Sequence, residues 1–156
     1  MEVAGVYAKM SSATRLQVGA IVVKDDRIIS IGYNGMPSGW DNNCEYKDYD
    51  LSKDFDGNYF PDPKNYYPFK DDKGRYGLKT RPEVLHAEAN AIAKVARSPE
   101  SAENSVIFVT HAPCIECAKL IYQSGIKQVF YRDNYRSDAG IEFLKQAGVT
   151  INKVEK

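Results

Sequence analysis

Neither sign of charge predominates in this chain: 21 Lys and Arg stand against 21 Asp and Glu. A protein that tracks a phosphate backbone usually carries a basic excess. The balance therefore argues for a small substrate and against a nucleic acid polymer. Long apolar runs are missing too. None approaches the roughly 20 residues needed to span a bilayer, so no membrane association is expected. Residues 1–10 lack the basic flank and apolar stretch of a secretory signal, and the expected location is cytoplasmic. Cysteine is scarce, with only Cys44, Cys114 and Cys117. An odd number without a secretory signal speaks against a disulfide framework. There is no internal repeat and no low-complexity tract.

What is present fits one globular domain. The 156 residues are 43% hydrophobic and 27% charged, close to the soluble average. Val3, Val6, Tyr7 and Met10 have helical spacing and predict an amphipathic helix over 2–13. Residues 17–24 are rich in β-branched side chains and read as a strand. Asp25-Asp26 makes a tight turn into a second strand over 27–33, so the pair reads as a hairpin. Residues 34–39 have loop chemistry.

From about 39 to 82 the character changes. This stretch holds six of the eleven tyrosines and three of the six phenylalanines, with little periodicity. So many aromatics argue against disorder, and so long a structureless loop is unusual in a compact domain. It reads as an ordered insertion that packs on the domain or on a neighbouring subunit. Asp54-Phe55-Asp56-Gly57-Asn58 superficially resembles a calcium loop. Its glycine is misplaced and no glutamate follows at the required offset, so a polar turn is the better reading.

Regular patterning resumes after Pro82. It predicts helices over 84–97, 114–123 and 138–146, alternating with strands over 105–110, 127–131 and 149–152. Such alternation implies parallel crossovers on a sheet with helices on both faces.

The chemistry is concentrated in two short segments. His86-Ala87-Glu88 opens one predicted helix, and Pro113-Cys114-Ile115-Glu116-Cys117 opens the next. His-x-Glu paired with Pro-Cys-x-x-Cys is the known signature of zinc nucleobase deaminases. One His and two Cys make three zinc ligands and leave a fourth position for water. A helix N-terminus favours the thiolates. Glu88 lies off the stripe of His86 and is placed to move protons without ligating. The alternatives are a structural zinc site, with His111 or Cys44 as fourth ligand, and a redox Cys pair. Neither has a use for the carboxylate of Glu88. Cys44 reads as a buried thiol and His111 as a surface or supporting imidazole.

Four blocks resemble the deoxycytidylate deaminase family of the cytidine deaminase superfamily. They are Gln17-Val18-Gly19-Ala20, the run Gly32-Tyr33-Asn34-Gly35-Met36-Pro37-Ser38-Gly39, His86-Ala87-Glu88-Ala89-Asn90-Ala91-Ile92, and residues 113–121 continuing through Ser124-Gly125-Ile126-Lys127. The glycine-rich block narrows the resemblance to this family. The resemblance implies an α/β fold, a three-layer α/β/α sandwich around a five-stranded mixed sheet. It implies hydrolysis of dCMP to dUMP and ammonia by a zinc-bound hydroxide, in a homohexamer activated by dCTP and inhibited by dTTP. His86, Cys114 and Cys117 would hold one Zn2+ per chain, and Glu88 would be catalytic. Asn34 and Tyr135 would meet the substrate. Gly19, Asn34, Gly35, Met36, Pro37 and Arg97 would border the effector, whose triphosphate could bring Mg2+.

Read by itself, Asn34-Gly35 suits a turn with positive φ, and exposed amides there would suit phosphate. Arg97 lies about 16 Å along the helix from His86, which favours an interface or effector role over substrate contact. Some relatives of this type carry a second, structural zinc. Here only Cys44 remains, with Ser11-Ser12 and Tyr76 where ligands would stand, so a single zinc is expected. The rival readings are a deaminase of cytidine or of tRNA adenosine, and a non-catalytic zinc protein. Retention of Glu88 speaks against the last.

Overall fold

The computed structural model describes residues 1–49 and 69–154. Part of the predicted insertion, including Asp54 to Asn58, lies outside the described residues. Five strands form the central sheet: β1 (Gly19–Lys24), β2 (Arg27–Tyr33), β6 (Val106–His111), β7 (Gln128–Asp133) and β8 (Thr150–Lys153). Their spatial order is β2-β1-β6-β7-β8. The β1–β2 and β1–β6 pairs are antiparallel. The β6–β7 and β7–β8 pairs are parallel, as the alternating pattern of the second half predicts.

The β1–β2 hairpin turns on Asp25 and Asp26, which adopt φ of 48° and 57°. Two successive positive φ values give the turn whose twist matches paired strands. Short Asp side chains tolerate this conformation better than most residues.

Helices cover both faces. In β1, Gly19 and Ala20 point to opposite sides, and Ala20 pairs with Gly32 of β2. A Cβ on Gly19 would stand 2.1 Å from the carbonyl oxygen of Ala4 in α1 (Glu2–Ala8). A Cβ on Gly32 would stand 2.1 Å from that of Ala87 in α2 (Ala87–Val95). One glycine thus admits each helix backbone onto its own face of the sheet. Helix α2 touches α3 (Ile115–Gln123), and α3 touches α4 (Ala139–Gln146). The result is the expected three-layer sandwich. Its core joins Val22, Ile107, Val109 and Val129 of the sheet to Ile121 and Leu144 of the helices, all completely buried. Each such side chain contributes about 1.5–3 kcal/mol by leaving water.

Two helices are shorter than their patterns predict. Helix α1 stops at Ala8, because Ser11 turns its hydroxyl back to accept the Ala13 N–H at 3.1 Å, a local bond that competes with helix. The face it buries also differs. Val3, Val6 and Met10 are exposed, while Ala4 and Ala8 are buried. Only small side chains fit where the helix backbone lies directly on Gly19. Helix α2 starts at Ala87 instead of 84, because Leu85 is engaged in an antiparallel bridge with Gly35.

The described parts of the insertion form a second sheet. Strands β3 (Glu45–Asp48), β5 (Gly74–Thr80) and β4 (Phe69–Asp71) lie in that order, all antiparallel. Phe69 stacks on Tyr76 at 5.4 Å between centroids, and Tyr49 tilts against the same ring at 5.6 Å. These aromatics bind short strands to one another, which accounts for the weak periodicity. At the root of this sheet, Cys44, Val84 and Ala13 form a small separate core against which Met36 packs. No helix among the described residues is long and apolar enough to cross a membrane.

Candidate active site

His86 and Cys114 occupy equivalent places. Each is the N-cap of its helix, in extended conformation, with φ and ψ of −77° and 153° for His86 and −69° and 168° for Cys114. Cys117 follows one turn into α3. The positive ends of α2 and α3 therefore meet at one point, where a helix N-terminus stabilises negative charge. Several contacts hold α2 on β2. Ser30 Oγ donates to the Ala91 carbonyl at 2.7 Å, and Asn90 Nδ2 donates to the Tyr33 carbonyl at 2.8 Å. The Gly35–Leu85 bridge fixes the chain immediately before His86.

His86 Nδ1 stands 3.3 Å from Cys117 Sγ and 3.5 Å from Cys114 Sγ. The three ligand atoms lie within 4.8 Å of one another. Tetrahedral zinc, with Zn–S near 2.3 Å and Zn–N near 2.0–2.1 Å, places neighbouring N and S ligands about 3.5 Å apart. The donor set thus fits zinc in both chemistry and spacing. The two thiols are strongly coupled. Hydrogen bonding from Cys117, then from His86, lowers Cys114 to about 3. The same contact with Cys114, followed by burial, pushes Cys117 up. The Cys114 contact raises His86 above the usual imidazole value.

Glu88, the second residue of α2, is only 4% exposed. Burial raises its carboxyl above the usual range, while its own backbone amide and His86 act in the opposite direction. It lines a cleft of about 770 Å³ that also contains His86 and Cys114. Its carboxylate is not among the atoms of the His86–Cys114–Cys117 group.

Asn34 and Tyr135 line the same cleft. Asn34 also braces the backbone. Its Oδ1 accepts the Val18 N–H at 2.7 Å and its Nδ2 donates to the Leu16 carbonyl at 2.8 Å. The positive-φ turn expected at Asn34-Gly35 does not form. The Asn34 amide donates to Val18 and the Gly35 amide to Leu85, so these amides are not presented to an anion. Gly19, Gly35, Met36, Pro37 and Arg97 do not line the cleft. Gly19 is covered by α1, Met36 packs on the small core, and Arg97 lies exposed beyond the end of α2. Cys44 is buried, with Ser12 Oγ 3.3 Å from its sulfur. His111 lines the cleft, its Nδ1 3.2 Å from Thr110 Oγ1.

The cleft also contains Arg15, Glu45, Lys79, Thr80 and Arg136, none of which the sequence singles out. They come from the loop before β1, the insertion sheet and the segment after β7. No motif spacing connects them.

Residues 1–133 match the family described as the cytidine and deoxycytidylate deaminase zinc-binding region. The deoxycytidylate deaminase of Enterobacteria phage T4 is 32% identical, over 100% of this chain and 88% of its own length. That of Mus musculus is 34% identical, over 98% and 76%. Among solved structures, the dCMP deaminase of cyanophage S-TIM5, in complex with dCMP and dUMP, matches with a TM-score of 0.76. It is 39% identical and is covered to 92%, against 98% of this chain. With its three zinc ligands assembled at two helix N-termini and a buried glutamate beside them, the chain belongs to the cytidine and deoxycytidylate deaminase family of zinc-dependent hydrolytic deaminases.

Proposed function

We propose that the protein hydrolyses dCMP to dUMP and ammonia, with Glu88 as the proton carrier. The observation that carries this reading is the buried Glu88 carboxylate in the cleft that holds His86 and Cys114. The choice of dCMP is supported by likeness over nearly the whole chain to the cyanophage enzyme solved with dCMP and dUMP. His86, Cys114 and Cys117 would hold one zinc, which when bound acidifies a water for attack on the ring carbon bearing the amino group.

Glu88 takes a proton from that water and delivers it to the ring nitrogen. It would then take the second proton from the hydroxyl formed on that carbon and carry it to the amine, which departs as ammonia and leaves the carbonyl. Burial suits Glu88 to this role, because a raised pKa brings a carboxyl closer to balance between accepting and donating near neutral pH. Asn34 and Tyr135 border the substrate. The test is a panel of dCMP, dCTP, cytidine and a tRNA stem-loop offered to the zinc-loaded protein. Turnover confined to cytidine or to the stem-loop would sink the dCMP reading.

Regulation belongs to the same reading. dCTP activates and dTTP inhibits, with Mg2+ on the triphosphate, at a surface that includes Asn34, Gly35, Met36, Pro37 and Arg97 of a homohexamer; Gly19, expected there too, lies beneath α1 and could border the effector only through its backbone. The resemblance of the glycine-rich block supports this, as does the open space beside Gly35, where a Cβ would meet nothing within 4 Å. Unchanged dCMP kinetics in the presence of either triphosphate would remove the regulatory part.

A further inference from the structure

Glycine is a poor helix former, because it loses more chain entropy than alanine and buries no side chain. Gly140 nevertheless stands second in α4 and is buried there. Its surroundings give the reason. A Cβ at this position would lie 2.0 Å from the Pro113 carbonyl oxygen, 2.9 Å from that of Cys114 and 3.0 Å from the Cys114 carbonyl carbon. All three are backbone atoms, so none can swing aside. In place of a Cβ, the glycine turns a Cα–H toward the Pro113 oxygen, the arrangement of a weak Cα–H···O bond. Gly19 and Gly32 admit helices onto the sheet, whereas Gly140 admits one onto the loop that carries Cys114.

That loop is held from a second side. Ala112 N–H donates to the Asp133 carbonyl at 2.8 Å, so residues 112–114 are fastened at both ends of the stretch from Asp133 to Gly140. The same stretch contributes Asn134, Tyr135 and Arg136 to the cleft. Cys114 itself caps α3 without a side-chain cap bond, and its place depends on its backbone. To clear an added Cβ, the loop or the helix must retreat by about 1 Å, several times the ±0.2 Å that zinc–ligand distances tolerate. We propose that Gly140 is a positioning residue for the metal centre: it seats α4 on the Pro113–Cys114 backbone and so sets where the Cys114 sulfur stands relative to His86 and to the cleft wall at 134–136. This rests on the reading of Cys114 as a zinc ligand. Helix α4, which supplies no ligand, is then part of the support of the site.

The test loads the protein with Co2+, whose absorption reports the ligands and their geometry, and compares the parent with Gly140→Ala and Ile141→Val. The second variant loosens the packing of α4 without touching the loop. Gly140→Ala should bind Co2+ about 10- to 100-fold more weakly than the parent, the range for losing a group that supports a metal ligand. Its thiolate-to-cobalt and d–d bands should shift. Ile141→Val should lower the melting midpoint and leave both affinity and spectrum as in the parent. Parent-like binding and spectrum in Gly140→Ala would overturn the proposal, as would equal changes in the two variants. A parent without a thiolate-to-cobalt band would remove Cys114 as a ligand and the proposal with it, an outcome distinct from the others because the parent alone reveals it. Should Gly140→Ala fail to fold, amide hydrogen exchange on the parent decides. Coupling between two sites is reciprocal, so zinc should slow exchange at Glu142, whose N–H bonds the Asp138 carbonyl at 2.9 Å, more than in the β1–β2 hairpin. Equal slowing in both places would overturn the proposal.

Discussion

His86 Nδ1 lies 3.3 Å from the sulfur of Cys117, although 31 residues separate them in the chain. His86 caps α2 and Cys117 lies in the first turn of α3, and α2 is held on the sheet by the close approach at Gly32 and by the Ser30 and Asn90 hydrogen bonds. The zinc site is therefore largely pre-organised, and this shapes the expected consequences of perturbing it.

Removing zinc with a chelator should abolish turnover without unfolding the chain. Because the metal binds the folded state, zinc at 100 times its Kd should add about 2.7 kcal/mol. For a chain of this size that raises the melting midpoint by roughly 5–10 °C. Scanning calorimetry with and without zinc checks this; a metal-free chain that is unfolded at room temperature would contradict pre-organisation.

Glu88→Gln should reduce kcat by about 10²- to 10⁴-fold, the usual worth of a positioned acid–base group. Zinc content should stay near one per chain, measured by elemental analysis. Loss of metal together with activity would make Glu88 a structural residue of the zinc site.

Gly32→Ala tests how α2 is seated. The new Cβ would meet the Ala87 carbonyl oxygen at 2.1 Å and the Ala91 nitrogen at 2.6 Å. Both are backbone atoms, so the whole helix must shift, and with it His86 and Glu88. Overpacking of this kind costs about 1–3 kcal/mol. Urea denaturation should show an earlier midpoint, and zinc affinity should fall with it; an unchanged midpoint would show that the helix is not held this closely.

Replacing Asp25-Asp26 by Asn-Gly should stabilise the hairpin, since the native pair adopts positive φ at both positions. The expected gain is about 1 kcal/mol, a rise of roughly 2–4 °C in the melting midpoint. Activity should not change, because the turn does not line the cleft. A lower midpoint would mean that the aspartates serve the fold in another way.

Much of the site is legible in the chain because its parts are local. His86 and Glu88 share one helix start, Cys114 and Cys117 share another, and each pair is close enough in sequence to leave a pattern. The hairpin and the parallel crossovers are legible for the same reason, since turn chemistry and apolar alternation act over a few residues. Helix α1 departs from its pattern because hydrophobic spacing points to Val3, Val6 and Met10 as the buried face. Which face is buried is decided by Gly19, a residue outside the helix.

The sequence by itself determined the reaction type, through a His-x-Glu and a Pro-Cys-x-x-Cys whose spacing reflects helix geometry. Tertiary structure alone decided what surrounds them. It placed Arg15 beside Thr80 across 65 residues, gave Asn34 a backbone to hold, and turned the described parts of the aromatic insertion into a sheet on the rim of the cleft. The physical reason is range. Metal ligation at helix starts is written in neighbouring residues, whereas a cleft wall is formed by packing between segments that share no local pattern.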